Sequence, residues 1–208
     1  MRLNMRRPYL ILTLCALLTL FVAAPAQTPD VTPDQCIGGK LDAPIRIEVF
    51  SDYQCPACRN FYLDVIQKVL ETYCTQDRVC VIYHEFPLKG HNLARLAARY
   101  SKAAQRLGRK QWVAVMGALY TSQAEWTWDG SVETVVSRAL DPRDLAALKK
   151  LLEDPSIDTA IDREVTLGEK REIKSTPTFF LYSRGKEERV VGGIPYQVLQ
   201  GYIDRLIN

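Results

Sequence analysis

Phe50-Ser51-Asp52-Tyr53-Gln54-Cys55-Pro56-Ala57-Cys58 joins two periodicities. Upstream, Ile45-Arg46-Ile47-Glu48-Val49-Phe50 alternates and is rich in β-branched residues, the pattern of a strand. Downstream, Phe61, Tyr62, Val65, Ile66, Val69, Leu70 and Tyr73 recur at helical spacing. Pro56 falls at the first helical position, where its locked φ and missing N–H cost nothing. The two cysteines therefore sit on the first turn of a helix that follows a strand. Three residues apart, their sulfurs can meet in a disulfide. Cys55 lies at the helix N-terminus, where unpaired N–H groups and the helix dipole favour a thiolate and lower its pKa. It is expected to be the exposed nucleophile, and Cys58, one turn in, the residue that resolves a mixed disulfide.

Further along, residues 79–84 form a second strand, ended by Phe86-Pro87-Leu88. Strand–helix–strand is the unit of a parallel pair. Residues 91–170, roughly 80 positions, then carry only helical signals. Trp126-Thr127-Trp128-Asp129-Gly130 reads as a bend within them, and Asp141-Pro142 as an N-cap plus first-turn proline for a helix over 144–152. Strand signals return in Thr178-Phe179-Phe180-Leu181-Tyr182, followed by a Gly185 turn and a second strand over 188–191, a hairpin. A final helix follows Gly192-Gly193-Ile194-Pro195. Neither end holds enough strands for a sheet of its own, so both should share one α/β sheet, with 91–170 as an insertion.

The chain has 208 residues, 47% hydrophobic and 25% charged, enough to bury a core without staples. Arg2, Arg6 and Arg7, an apolar run over 9–24 and Ala24-Pro25-Ala26 read as a secretory signal cleaved near Ala26, or else as an uncleaved anchor. The surroundings of Arg6-Arg7 match twin-arginine export poorly, and Cys15 lies too early for lipid attachment. Without residues 1–26 the formal charge of +3 falls to zero, 24 basic against 24 acidic side chains, so no basic excess points to nucleic acid. Residues 27–37 read as a flexible lead-in.

Export permits disulfides. Cys36, Cys55, Cys58, Cys74 and Cys80 remain, an odd number. Cys74 and Cys80 bracket the turn between the first helix and the second strand and are expected to form a structural disulfide, or alternatively a relay pair for Cys55–Cys58. Cys36 has no evident partner. A plain staple or half a zinc site are the competing readings of Cys55–Cys58. Zinc would need a second such pair, or His84 and His91, so neither metal nor cofactor is expected. Asp52 and Glu85 are read as surface carboxylates first and as proton acceptors for Cys58 second. Trp112, Trp126 and Trp128 are read as packing residues.

The Phe50–Cys58 stretch resembles the active-site segment of DsbA-like members of the thioredoxin superfamily. Phe86-Pro87-Leu88 with His91 resembles the start of their helical insertion, and Ser175-Thr176-Pro177-Thr178-Phe179-Phe180 their cis-proline loop. The likeness spans 38–208, and the three blocks come in the family's order. It implies a thioredoxin fold over 38–90 and 171–208 with an inserted helical domain over 91–170. It further implies that Cys55 and Cys58 are the redox pair, and that Pro177 follows a cis bond which turns Thr176 toward them and offers its backbone to an extended substrate. The histidine that some relatives carry between the cysteines is absent. The implied activity is thiol:disulfide exchange. The expected form is an oxidase that acts on reduced exported proteins and is recharged by a membrane redox partner. An isomerase or reductase using the same cysteines is the alternative, and a chaperone-like or metal-binding module the alternative of another class. Isomerase relatives carry an N-terminal dimerisation region. Fewer than 20 residues separate Ala26 from the first strand, so a monomer is expected.

Overall fold

The computed structural model describes residues 33–207, so the expected export segment lies outside the described residues. A 3-10 turn (Pro33–Gln35) leads into β1 (Cys36–Gly38) and then β2 (Ile45–Ser51). α1 (Pro56–Phe61) continues through a π-helical segment (Tyr62–Ile66) into α2 (Gln67–Thr72), and β3 (Val79–Glu85) follows. Six helices come next: α3 (Ala94–Leu107), α4 (Arg109–Thr121), α5 (Gln123–Asp129), α6 (Val132–Ser137), α7 (Pro142–Leu152) and α8 (Ser156–Lys170). The chain closes with β4 (Thr178–Ser183), β5 (Lys186–Val191) and α9 (Tyr196–Ile207).

The five strands make one sheet in the order β1-β3-β2-β4-β5, with β2 and β3 parallel and the other pairs antiparallel. Strands from both ends of the chain share this sheet, as expected. The register places Ser51 beside Glu85 on one side, and Phe50 beside Thr178 on the other. The end of β2, where the cysteine turn begins, is thus set next to Pro177.

Alternation along β2 and β3 divides the side chains between two covered faces. Ile45, Ile47, Val49, Val79, Val81 and Tyr83 join a cluster that runs into the helices around Trp112, Trp126 and Ile161. Phe50, Phe86, Ile173 and Phe180 fill the opposite face. Burial on both faces explains why β3 is buried throughout.

Three expectations change. The turn Pro33–Gln35 and the first two residues of β1 are regular structure within the segment 27–37 read as flexible. A three-residue Cys-Ile-Gly strand is too short to show a period of two. Gly39 closes it with φ +74°, and a Cβ there would lie 2.0 Å from the Val79 carbonyl oxygen, so only glycine fits. Second, the tryptophan-rich bend is the helix α5. Trp112 and Trp126 are fully buried, but Trp128 is 91% exposed and packs into nothing. Third, His91 does not start α3, which begins at Ala94. The Asp141 cap is as expected: its Oδ1 accepts from Asp144 N at 2.8 Å, with Pro142 opening α7.

Candidate active site

The loop after β2 builds itself from local bonds. Asp52 Oδ1 accepts from Gln54 N at 2.7 Å, and Cys55 N donates to Asp52 O at 3.1 Å. This turn delivers Cys55 as the N-cap of α1 in an extended conformation (φ −77°, ψ 120°), with Pro56 behind it. Cys55 Sγ therefore sits at the unpaired N–H groups of the first turn. It also lies 3.4 Å from the carbonyl oxygen of Thr176, and the Thr176–Pro177 peptide bond is cis. Two segments remote in sequence thus meet at one sulfur.

Both cysteines are thiols in this structure. A hydrogen bond from the Cys58 thiol brings Cys55 down to about 5 against the opposing effect of burial, helped by the Thr176 side chain and the N–H groups of Cys58 and Ala57. Burial pushes Cys58 well above the usual thiol range, and the neighbouring Cys55 adds to the rise. Cys55 is 8% exposed and Cys58 1%, so an attacking group reaches Cys55 first.

The two carboxylates first read as surface groups are both buried. Both Asp52 oxygens are occupied: besides Gln54 N, Oδ2 accepts from Leu88 N at 2.7 Å and lies 2.8 Å from His91 Nδ1. Asp52 thereby ties the cysteine loop to the segment leading into α3. Glu85 sits at the end of a central strand, and burial pushes it up to about 8, with Glu164 adding and Lys102 opposing. Its Oε1 accepts from Tyr53 OH at 3.4 Å. Burial also works against ionisation of Glu164. Lys102, with Nζ donating to Glu164 Oε1 at 2.7 Å, and His84 outweigh it, so Glu164 falls to about 2. Lys102 comes from α3 and Glu164 from α8, and no local pattern reveals that they meet beside Glu85.

The expected Cys74–Cys80 disulfide does not form. Cys80 is bonded to Cys36, with Cα atoms 6.5 Å apart, and Cys74 is a buried thiol pushed up to about 12 by its burial. The reason is the strand period of two. Cys80 points with Ile82 toward Cys36 on one face of the sheet, while Cys74 packs with Val79 and Val81 on the other. The pairing of β1 with β3 brings Cys36 within reach. Among the described residues no group of three or more His, Cys, Asp or Glu side chains is arranged to hold a metal ion.

A family model described as thioredoxin matches residues 31–205. The chain belongs to the thioredoxin family. Within it the chain is DsbA-like. Disulfide bond formation protein D of Bacillus subtilis is 24% identical over 151 residues, 71% of this chain and 67% of that protein. The solved structure of alpha-DsbA1 from Wolbachia pipientis superposes with a TM-score of 0.69 at 23% identity, covering 81% of this chain and 88% of that one. DsbA2 of Pseudomonas aeruginosa gives 0.67 at 21%, covering 85% and 95%.

Around the cysteines this DsbA-like chain has a polar shell that sequence reasoning missed. Cys58 Sγ accepts from Asp52 N at 3.5 Å, and Ser51 Oγ lies 2.8 Å from Tyr120 OH, which bonds Tyr83 OH in turn. Tyr53 OH lies 2.7 Å from Ser101 Oγ, which accepts from Trp112 Nε1 at 2.8 Å. Gln123 reaches the loop backbone from α5. These residues come from β2, β3, α3, α4, α5 and the cysteine loop; Ser51 and Tyr53 carried a signal as members of the cysteine stretch, and Trp112 only as a packing residue.

Proposed function

We propose that this DsbA-like thiol:disulfide oxidoreductase is an exported dithiol oxidase that donates the Cys55–Cys58 disulfide to reduced exported proteins. The observation that carries the reading is the opposite poise of the two thiols, Cys55 brought down to about 5 and Cys58 raised. A pair whose reduced form holds a stabilised thiolate gives up its disulfide readily.

The exchange proceeds in two displacements. A substrate thiolate attacks Cys55 Sγ, the Cys55–Cys58 bond breaks, and Cys58 leaves with the electron pair and takes a proton. A second substrate thiolate then attacks the substrate sulfur of the mixed disulfide, and Cys55 leaves as a thiolate. Two substrate thiols lose two electrons and two protons. The pair gains two electrons and keeps one proton, on Cys58, while the other goes to solvent. A low pKa makes Cys55 a good leaving group in the second step. The Thr176–Pro177 turn lies beside Cys55, where its backbone would pair with an extended substrate segment. Regeneration needs a two-electron acceptor, assigned here to a membrane redox partner.

Three observations support the reading. The name of the Bacillus subtilis relative is that of a disulfide-forming protein. The buried Cys36–Cys80 disulfide suits an oxidising compartment. The N-terminal residues carry the pattern of an export signal. The test uses two forms of one disulfide-containing protein, fully reduced and scrambled. The oxidised chain is expected to drive disulfide formation in the reduced form stoichiometrically and to recover little activity from the scrambled one. Faster recovery from the scrambled form would make the protein an isomerase.

A further inference from the structure

We propose that Gln123 is a positioning residue for the nucleophile, through which α5 holds Cys55 over the N-terminus of α1. The inference rests on the redox reading above.

Gln123 is buried, 6% exposed, and both hydrogens of its amide are used on the cysteine loop. Nε2 donates to Tyr53 O at 2.6 Å and to Cys55 O at 3.0 Å. The two carbonyls flank the turn that sets the conformation of Cys55. The Cys55 carbonyl also accepts from Arg59 N at 3.1 Å, the first bond of α1. Gln123 thus grips the peptide that joins the nucleophile to its helix.

The grip is rigid at its own end. Thr127 Oγ1 donates to Gln123 O at 2.6 Å, and the fully buried Trp126 anchors α5 through Nε1 donating to Leu119 O at 2.7 Å. The loop's other ties to distant elements run through the side chains of Asp52, Tyr53 and Gln54, whereas Gln123 holds the Tyr53 and Cys55 peptides directly. Rotation about Cys55 would swing Sγ away from the N–H groups of Ala57 and Cys58, which favour its thiolate. It would also take the Gln123 donor from the Tyr53 carbonyl, in a buried loop, and such a loss is costly.

The chemistry explains the residue type. Asparagine is one methylene too short to span both carbonyls. Glutamate would set an acceptor against two acceptors and a negative charge near a developing thiolate. Methionine keeps the volume but offers no donor.

The test titrates Cys55 in the reduced full-length chain, by alkylation rate against pH, alongside disulfide transfer to a reduced protein. With Gln123→Met, the thiolate midpoint is expected to rise by about one pH unit, a tenfold change in the ionisation equilibrium. Transfer should slow several-fold. Gln123→Glu should move both further in the same direction, and Gln123→Asn by less. A purely structural side chain would lower the melting temperature without moving the midpoint. Folded variants with the wild-type midpoint overturn the inference, whatever their stability. If Gln123→Met does not fold, Gln123→Asn is read the same way. A wild-type chain that transfers no disulfide would instead overturn the redox reading itself.

Discussion

Cys55→Ser is expected to abolish disulfide transfer to a reduced protein, a loss of at least about a thousandfold, as befits removal of a covalent nucleophile. A serine hydroxyl cannot form the mixed disulfide, and Cys58 is too buried to replace Cys55. Cys58→Ala should behave differently. Its Cys55 thiolate still attacks a disulfide such as oxidised glutathione, releasing one reduced glutathione, but nothing resolves the adduct. Intact-mass measurement should find one glutathione per chain, mapped to Cys55. An adduct on Cys74, or transfer surviving in Cys55→Ser, would remove Cys55 from the role given to it. Cys74 should stay unmodified, since burial holds its thiol up to about 12.

The Cys36–Cys80 cross-link has the second largest expected effect, on stability rather than chemistry. It joins residues 44 apart, and loop-closure entropy alone assigns it about 4 kcal/mol. Measured values for removed disulfides run lower and higher, so the double variant Cys36→Ala/Cys80→Ala should lose about 2–5 kcal/mol in denaturant unfolding. The link fastens the edge strand β1 to β3, while the redox pair sits at the far end of β2. Disulfide transfer by the folded double variant should therefore stay within about twofold of the parent, because the site keeps its own bonds to Thr176 and Gln123. Unchanged stability would show that the cross-link does not close this loop in solution. A new Cys74–Cys80 bond in Cys36→Ala would show that β3 can present Cys80 to the other face.

These two cases mark what the sequence makes legible. The redox pair is written locally: strand period, Cys55, Pro56 and helical period follow one another without interruption, and the hairpin after Pro177 is equally local. The shared sheet also follows, because neither end can close one alone. Facing is harder. Cys74 and Cys80 are near in sequence but lie on opposite sides of a strand, and Cys36 reaches Cys80 only through a strand too short to show its period. Burial of Asp52 and Glu85 was hidden for a similar reason. Their partners, His91 from the segment before α3 and Lys102 and Glu164 from α3 and α8, are placed by packing that the spacing of apolar residues does not specify. Trp128 carries the opposite lesson: an aromatic two positions from a buried one points to solvent.

The low pKa of Cys55 ties stability to pH in a defined direction. Its folded value lies below its unfolded value near 8.5, so the thiolate stabilises the reduced folded chain fully above that pH, and this contribution is lost as pH falls through about 5. The disulfide form has no such dependence. Over this range reduction takes up one proton, on Cys58, rather than two.

The equilibrium potential of Cys55–Cys58 against a glutathione buffer, followed across pH, tests this most directly. The expected result is a potential less negative than about −180 mV at neutral pH, falling by about 30 mV per pH unit between pH 5 and 8. A potential near about −250 mV with a slope of about 60 mV per pH unit would mean that Cys55 is an ordinary thiol, and would contradict the oxidase.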